Sequence, residues 1–306
     1  MYDTLIPPLQ AGDCVALAAP ARAVSPEEMA PAIAELVSWG LQVVVPEGLY
    51  DREGQLAGND SHRAALMQRL LDDPSIKAIL CCRGGYGTVR IIDRLDFTRF
   101  AAHPKWMVGY SDITVLHSHI HATLGLPTLH ATMPVNFTGH PTPATESLRR
   151  FLFGSESDRT DYVWKSHPLN RDGEACAPVV GGNLSILYSL CGSRSQMDTR
   201  GKILLIEDLD EYLYHIDRMM QNLKRCGMLD GLAGLVVGGM TEMHDNTVPF
   251  GRTAEEIVRE AVAEYRYPVV FGAPFGHLGD NNLALPLGTK CTLVASKSKN
   301  SRIFAS

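Results

Sequence analysis

A serine hydroxyl becomes a useful nucleophile when an imidazole can take its proton, and that imidazole needs a carboxylate to orient it. Three such side chains follow apolar runs that read as strands: Ser111 after 106–109, Glu207 after 202–206, and His277 shortly after 268–271. At a strand-to-helix turn a serine is displayed to ligands, and the start of the following helix favours developing negative charge. Other readings fit the same residues. Ser111 or Asp112 suits the cap of a helix carrying Ile113, Leu116, Ile120 and Leu124. Glu207 opens the acidic run Glu207-Asp208-Leu209-Asp210-Glu211, which fits a solvated helix start, and His277 fits an ordinary loop. The turn Gly109-Tyr110-Ser111-Asp112-Ile113 departs from G-x-S-x-G at its last position, so it is not the α/β-hydrolase elbow.

A second turn, Arg83-Gly84-Gly85-Tyr86-Gly87, also follows a strand, over 78–82. Its glycines allow the backbone to approach a ligand and expose N–H groups. It is neither G-x-G-x-x-G nor a Walker A loop, which argues against a phosphate cradle. His117, His119 and His121 lie close together, but only the first and last share a helical face, and no third ligand is in register. No metal site is expected there. Cys81-Cys82 end a buried strand and read as core.

Strands over 13–20, 41–45, 78–82 and 106–109 alternate with helices over 26–39, 60–71 and 88–95, a pattern that predicts a parallel sheet with right-handed crossovers. The order predicts an N-terminal α/β domain over 1–150, a polar connection over 151–178 with a strand-like stretch at 162–165, and a C-terminal α/β domain over 179–306 with a β-rich end. Ligands of such sheets bind beyond strand C-termini, so both turns are expected to border one crevice between the domains. Among 306 residues the net charge is -6 and no basic cluster occurs, which argues against nucleic-acid binding. No apolar run reaches membrane-spanning length, and the start of the chain lacks the pattern of a signal peptide. Seven scattered cysteines without a Cys-x-x-Cys pair fit reduced thiols in the cytoplasm.

The ordered motifs RGGYGTVRIID, VGYSDITVLH, GGNLSILYSLCGS, ILLIEDLDE and FGHLGDNNLALPLG resemble the LD-carboxypeptidases of peptidase family S66, the muramoyltetrapeptide carboxypeptidases and their relatives. The resemblance spans almost the whole chain. It implies a cytoplasmic serine peptidase with Ser111 as nucleophile, Glu207 and His277 completing the triad, and the backbone N–H groups of Gly85 and Asp112 as oxyanion hole. It implies a small peptide substrate, no metal or organic cofactor, and a role in peptidoglycan recycling; a homodimer is expected. A related branch of the family hydrolyses peptidyl or aminoacyl-adenylates in microcin C immunity, and a non-catalytic peptide-binding relative is a third reading. The chain departs from the family's usual Pro-Ser and His-Gly-Pro-Met at Ala19-Pro20-Ala21 and at 130–134, both on the expected cleft rim.

Overall fold

Strand β1 (Cys14–Ala18) sends Val15 and Leu17 into one apolar cluster and Ala16 and Ala18 into another. Covering both faces is what a central strand of a parallel sheet requires. The computed structural model describes residues 6–154 and 160–306. Helix α1 (Pro26–Ser38) starts at a capping box in which Ser25 and Glu28 satisfy each other's backbone N–H groups. Strand β2 (Gln42–Val44), helix α2 (Asp60–Asp72), strand β3 (Ile76–Cys81), helix α3 (Thr98–Ala102), strand β4 (Trp106–Gly109), helix α4 (Thr114–Leu124) and strand β5 (Thr128–His130) follow. Residues 88–95, expected as one helix, instead form two 3-10 turns, Thr88–Arg90 and Ile92–Arg94.

The second half begins with helix α5 (Pro143–Phe153) and strands β6 (Asp161–Trp164) and β7 (Gly173–Asn183). Helix α6 (Leu184–Ser189), strand β8 (Ile203–Leu209), helix α7 (Leu213–Arg225), strand β9 (Gly234–Thr241), helix α8 (Ala254–Ala261) and strand β10 (Val269–Val270) continue it. Strands β11 (Leu285–Leu287), β12 (Lys290–Ala295) and β13 (Ser301–Ala305) close it.

Two sheets result. The first runs β11-β5-β4-β3-β1-β2, all parallel except β11, which is antiparallel to β5. The second runs β10-β9-β8-β7-β12-β13-β6, parallel from β10 to β7 and antiparallel beyond. The expected α/β architecture with a β-rich end is therefore present. The segment 151–178 is more than a connection, since it carries β6 and the first part of β7 into the second sheet. The strand-like stretch at 162–165 corresponds to β6, whereas the largely exposed start of β7, Gly173-Glu174-Ala175-Cys176, carries no hydrophobic run to mark it. Strand β11 crosses back to close the first sheet, so the C-terminal half of the chain contributes to both.

Candidate active site

Four buried residues make up β4, and the chain leaves it through Gly109, extended Tyr110 and then Ser111 at φ +62°. A positive φ is costly for a residue with a Cβ and persists where the surroundings impose it. A 3-10 turn over Ser111–Ile113 leads into α4, and neither element has a side-chain cap. The capping alternative thus lacks its hydrogen bond. Asp112 is instead buried, and its Oδ2 accepts from the Thr88 amide at 2.9 Å. Burial raises the Asp112 pKa above the ordinary aspartate value.

The glycine turn after β3 lies directly on this serine. A Cβ on Gly84 would come 2.9 Å from Ser111 Cβ and 3.0 Å from its Oγ, so only glycine lets the strands' ends meet here. Gly85 has φ +102°. Buried Arg63 braces the turn: its guanidinium donates to the Gly87 carbonyl at 2.9 Å and to those of Pro20 and Gly58, and it pairs with Asp60. The sequence shows Arg63 only as a helix residue three positions from Asp60, which reads as a surface pair.

Glu207 comes from β8, at an irregularity in the pairing with β9 between Ile206 and Asp208. Such bulges re-aim a side chain. Glu207 is fully buried, and its Oε2 lies 2.6 Å from His277 Nδ1 and accepts the His277 backbone N–H at 3.3 Å. Gly276, at φ +99°, gives the carboxylate room, because a Cβ there would fall 2.5 Å from Glu207 Oε2. Burial alone would lower the His277 pKa. The Glu207 hydrogen bond and the charges of Glu207, Asp208 and Glu242 outweigh it and hold the imidazole above its ordinary value. Neighbouring Asp208 is buried too, and accepts from Asn183 Nδ2, the Ser185 amide and the Leu209 amide at 2.9–3.0 Å. Burial, followed by repulsion from Glu207, pushes its pKa up to about 7.

Close to the site, three contacts join the two halves. The Tyr110 ring packs on the His277 ring with centroids 4.8 Å apart. Thr114 Oγ1, on α4, accepts the Asn183 amide at the end of β7 at 3.0 Å. Gly182, at φ +139°, admits Thr114, since a Cβ there would come 2.5 Å from Thr114 Oγ1. Among the described residues no hydrogen bond joins Ser111 Oγ to His277, and Tyr110 is the side chain that links them. Tyr110, Arg63, Asp208 and Asn183 were all missed from sequence, although Asn183 lies in the quoted Gly-Gly-Asn motif.

The histidines of α4 serve packing. His117 Nε2 bonds the Gly109 carbonyl at 2.9 Å, and burial lowers its pKa to about 4. His119 Nδ1 meets Ser195 Oγ at 2.8 Å. Among the described residues no group of three or more His, Cys, Asp or Glu is placed to hold a metal ion. No helix there is long and apolar enough to cross a membrane. Cys81 and Cys82 are fully buried.

A strained serine turn at the carboxyl edge of one sheet, set against a buried carboxylate–imidazole pair from another, is the layout of a serine-type hydrolase. Comparison with known proteins makes this specific. The family models described as LD-carboxypeptidase N-terminal and C-terminal domain match residues 15–131 and 177–293. The chain is 38% identical to the Bacillus subtilis (strain 168) protein named "Probable murein peptide carboxypeptidase", over 93% of this chain and 90% of that one. A crystal structure of muramoyltetrapeptide carboxypeptidase from Oxalobacter formigenes superposes with a TM-score of 0.86 at 27% identity, covering 96% of this chain and 99% of that one. The Escherichia coli Microcin C7 self-immunity protein MccF is 25% identical over 95% of this chain and 93% of its own length. The chain belongs to the LD-carboxypeptidase family, peptidase family S66.

Proposed function

We propose that this protein is a serine LD-carboxypeptidase that removes the terminal D-alanine from muropeptide tetrapeptides, cutting the bond between an L-centre and D-Ala. The observation that carries the mechanism is the 2.6 Å contact between Glu207 and His277 Nδ1, packed through Tyr110 against the Ser111 turn. With Nδ1–H donated to Glu207, Nε2 is the lone-pair nitrogen that faces the role of general base. His277 takes the Ser111 proton as Oγ attacks the carbonyl of the diaminopimelate or lysine residue. The amides of Gly85 and Asp112 hold the oxyanion. The C–N bond then breaks, and the imidazolium returns its proton to the departing D-alanine amine. Water, activated by the same imidazole, cleaves the Ser111 ester and frees the tripeptide acid.

The names of the murein-acting relatives support this substrate class. On this reading the protein works in the cytoplasm, as a homodimer, in peptidoglycan recycling, and its own groups suffice without a metal or organic cofactor. Likeness to the microcin self-immunity protein supports a second reading, hydrolysis of peptidyl or aminoacyl-adenylates on the same residues. Mass spectrometry of a muramoyl tetrapeptide incubated with the pure protein tests the first. Loss of one alanine is expected, and an untouched tetrapeptide alongside a cleaved aminoacyl-adenylate would favour the second. Binding with no turnover of either would point to the non-catalytic relative.

A further inference from the structure

A carboxypeptidase must read a free carboxylate next to the bond it cuts, and Arg22 lies across the glycine turn that borders Ser111. The residue follows β1 at the carboxyl edge of the first sheet and is exposed. Its backbone N–H points to the Gly84 carbonyl at 3.5 Å. Its side chain runs across the glycine turn: a Cβ on Gly85 would meet Arg22 Cδ at 2.5 Å and Nε at 2.7 Å. On the preceding residue, Gly84, a Cβ would instead meet Ser111 Oγ at 3.0 Å. Serine, Gly84, Gly85 and Arg22 therefore follow one another along a single edge of the cleft.

Other cations of this neighbourhood are already engaged. Arg83 pairs with Glu28 at 2.7 Å, Arg90 holds Asp60 through two nitrogens, and Arg63 is buried on carbonyl oxygens and Asp60. Among the described residues the Arg22 guanidinium makes no hydrogen bond or ion pair. Its charge is felt by the Asp112 carboxylate, but a planar fork that is exposed and without a hydrogen bond matches a second carboxylate in charge and geometry. In a peptide substrate only the amide nitrogen and one Cα separate the scissile carbonyl from the terminal carboxylate. A group one residue removed from the proposed oxyanion turn has the reach this demands.

We infer that Arg22 is the subsite for the substrate's terminal α-carboxylate, and so the residue that makes the enzyme cut only at a free C-terminus. The inference rests on the carboxypeptidase reading above. The test compares a tetrapeptide ending in D-alanine with the same peptide ending in D-alanine amide, on wild type, Arg22→Ala and Arg22→Lys. Wild type should strongly prefer the free acid. Arg22→Ala should lose roughly 10- to 150-fold in kcat/KM on the acid, the size of a lost charge-assisted contact, mostly through KM. It should change less than about threefold on the amide, since no carboxylate is present to lose. Arg22→Lys should recover part of the loss on the acid, having the charge without the fork. Equal losses on both substrates, or none on either, would overturn the subsite while leaving the carboxypeptidase reading intact. Failure of wild type to cleave the free acid would instead reject that reading itself. Circular dichroism of each variant checks that the fold survives.

Discussion

Tyr110 rests its ring on the imidazole of His277 at a centroid distance of 4.8 Å and an interplanar angle of 59°, so a residue of the first sheet's turn touches a residue held by the second. The neighbour of the proposed nucleophile thereby fixes where the proposed base can lie. If Ser111 and His277 act as one unit, their losses should not add. Ser111→Ala and His277→Ala should each lower kcat by several orders of magnitude, and the double variant should be scarcely worse than either. Glu207→Gln should also be damaging, because it removes the charge that stabilises the imidazolium. Steady-state kinetics on a D-alanine-terminated tetrapeptide decide it; normal turnover in Ser111→Ala would reject the serine mechanism.

Gly84 offers a cleaner probe of the same turn. Its φ lies outside the left-handed region, so alanine brings no backbone strain there, but the new methyl would stand 2.9 Å from Ser111 Cβ and 3.0 Å from Oγ. Gly84→Ala should therefore cut kcat at least about 100-fold, as a misplaced reacting group does. The melting temperature should fall as well, because the methyl also comes 3.3 Å from the Asp112 backbone nitrogen, and activity measured well below the melt isolates the effect on the site. A fully active Gly84→Ala enzyme would mean that Ser111 tolerates displacement and is not the attacking group.

Acid pH should silence the enzyme by protonating His277. Its pKa lies above the ordinary histidine value, because the Glu207 hydrogen bond and nearby carboxylates overcome the opposing effect of burial. The base works only when neutral, so kcat/KM should fall as pH drops through that raised value. Negative charge stabilises the imidazolium, and removing some must lower the pKa. Glu242→Gln should accordingly shift the acid limb toward lower pH. A limb that stays put or moves upward would show that Glu242 does not act on the group being titrated.

The segments that carry the candidate site are legible in the sequence. Apolar runs ending in Ser111, Glu207 and the Gly84-Gly85 turn carry a strong signal, because strands buried on both faces must be apolar throughout. Three features were hidden by physical causes. The start of β7 is largely exposed, so no hydrophobic period marks it. Arg63 looks like half of a surface pair, yet its burial follows from bonds to carbonyls of Pro20 and Gly87, far away in sequence. The third is the return of β11 to the first sheet, since strand pairing over such a separation leaves no local trace. Composition could not exclude a helix cap at Ser111, whereas its φ of +62° and absent cap bond do.

The domain junction yields the last prediction, because both halves of the proposed triad depend on how closely the sheets dock. Thr114, on the helix that follows Ser111, accepts the Asn183 amide at 3.0 Å, and both residues are buried. Thr114→Val keeps the shape but leaves that N–H without a partner, which should cost about 1–3 kcal/mol. Thr114→Ser keeps the acceptor and should lose less. Gly182→Ala should be worse than either, since a methyl would enter 2.5 Å from Thr114 Oγ1 and the residue's φ of +139° disfavours any Cβ. Urea denaturation ranks the three, and kcat should fall in the same order as the junction loosens. Gly182→Ala as stable and as active as wild type would show that the two halves do not need this contact to assemble the site.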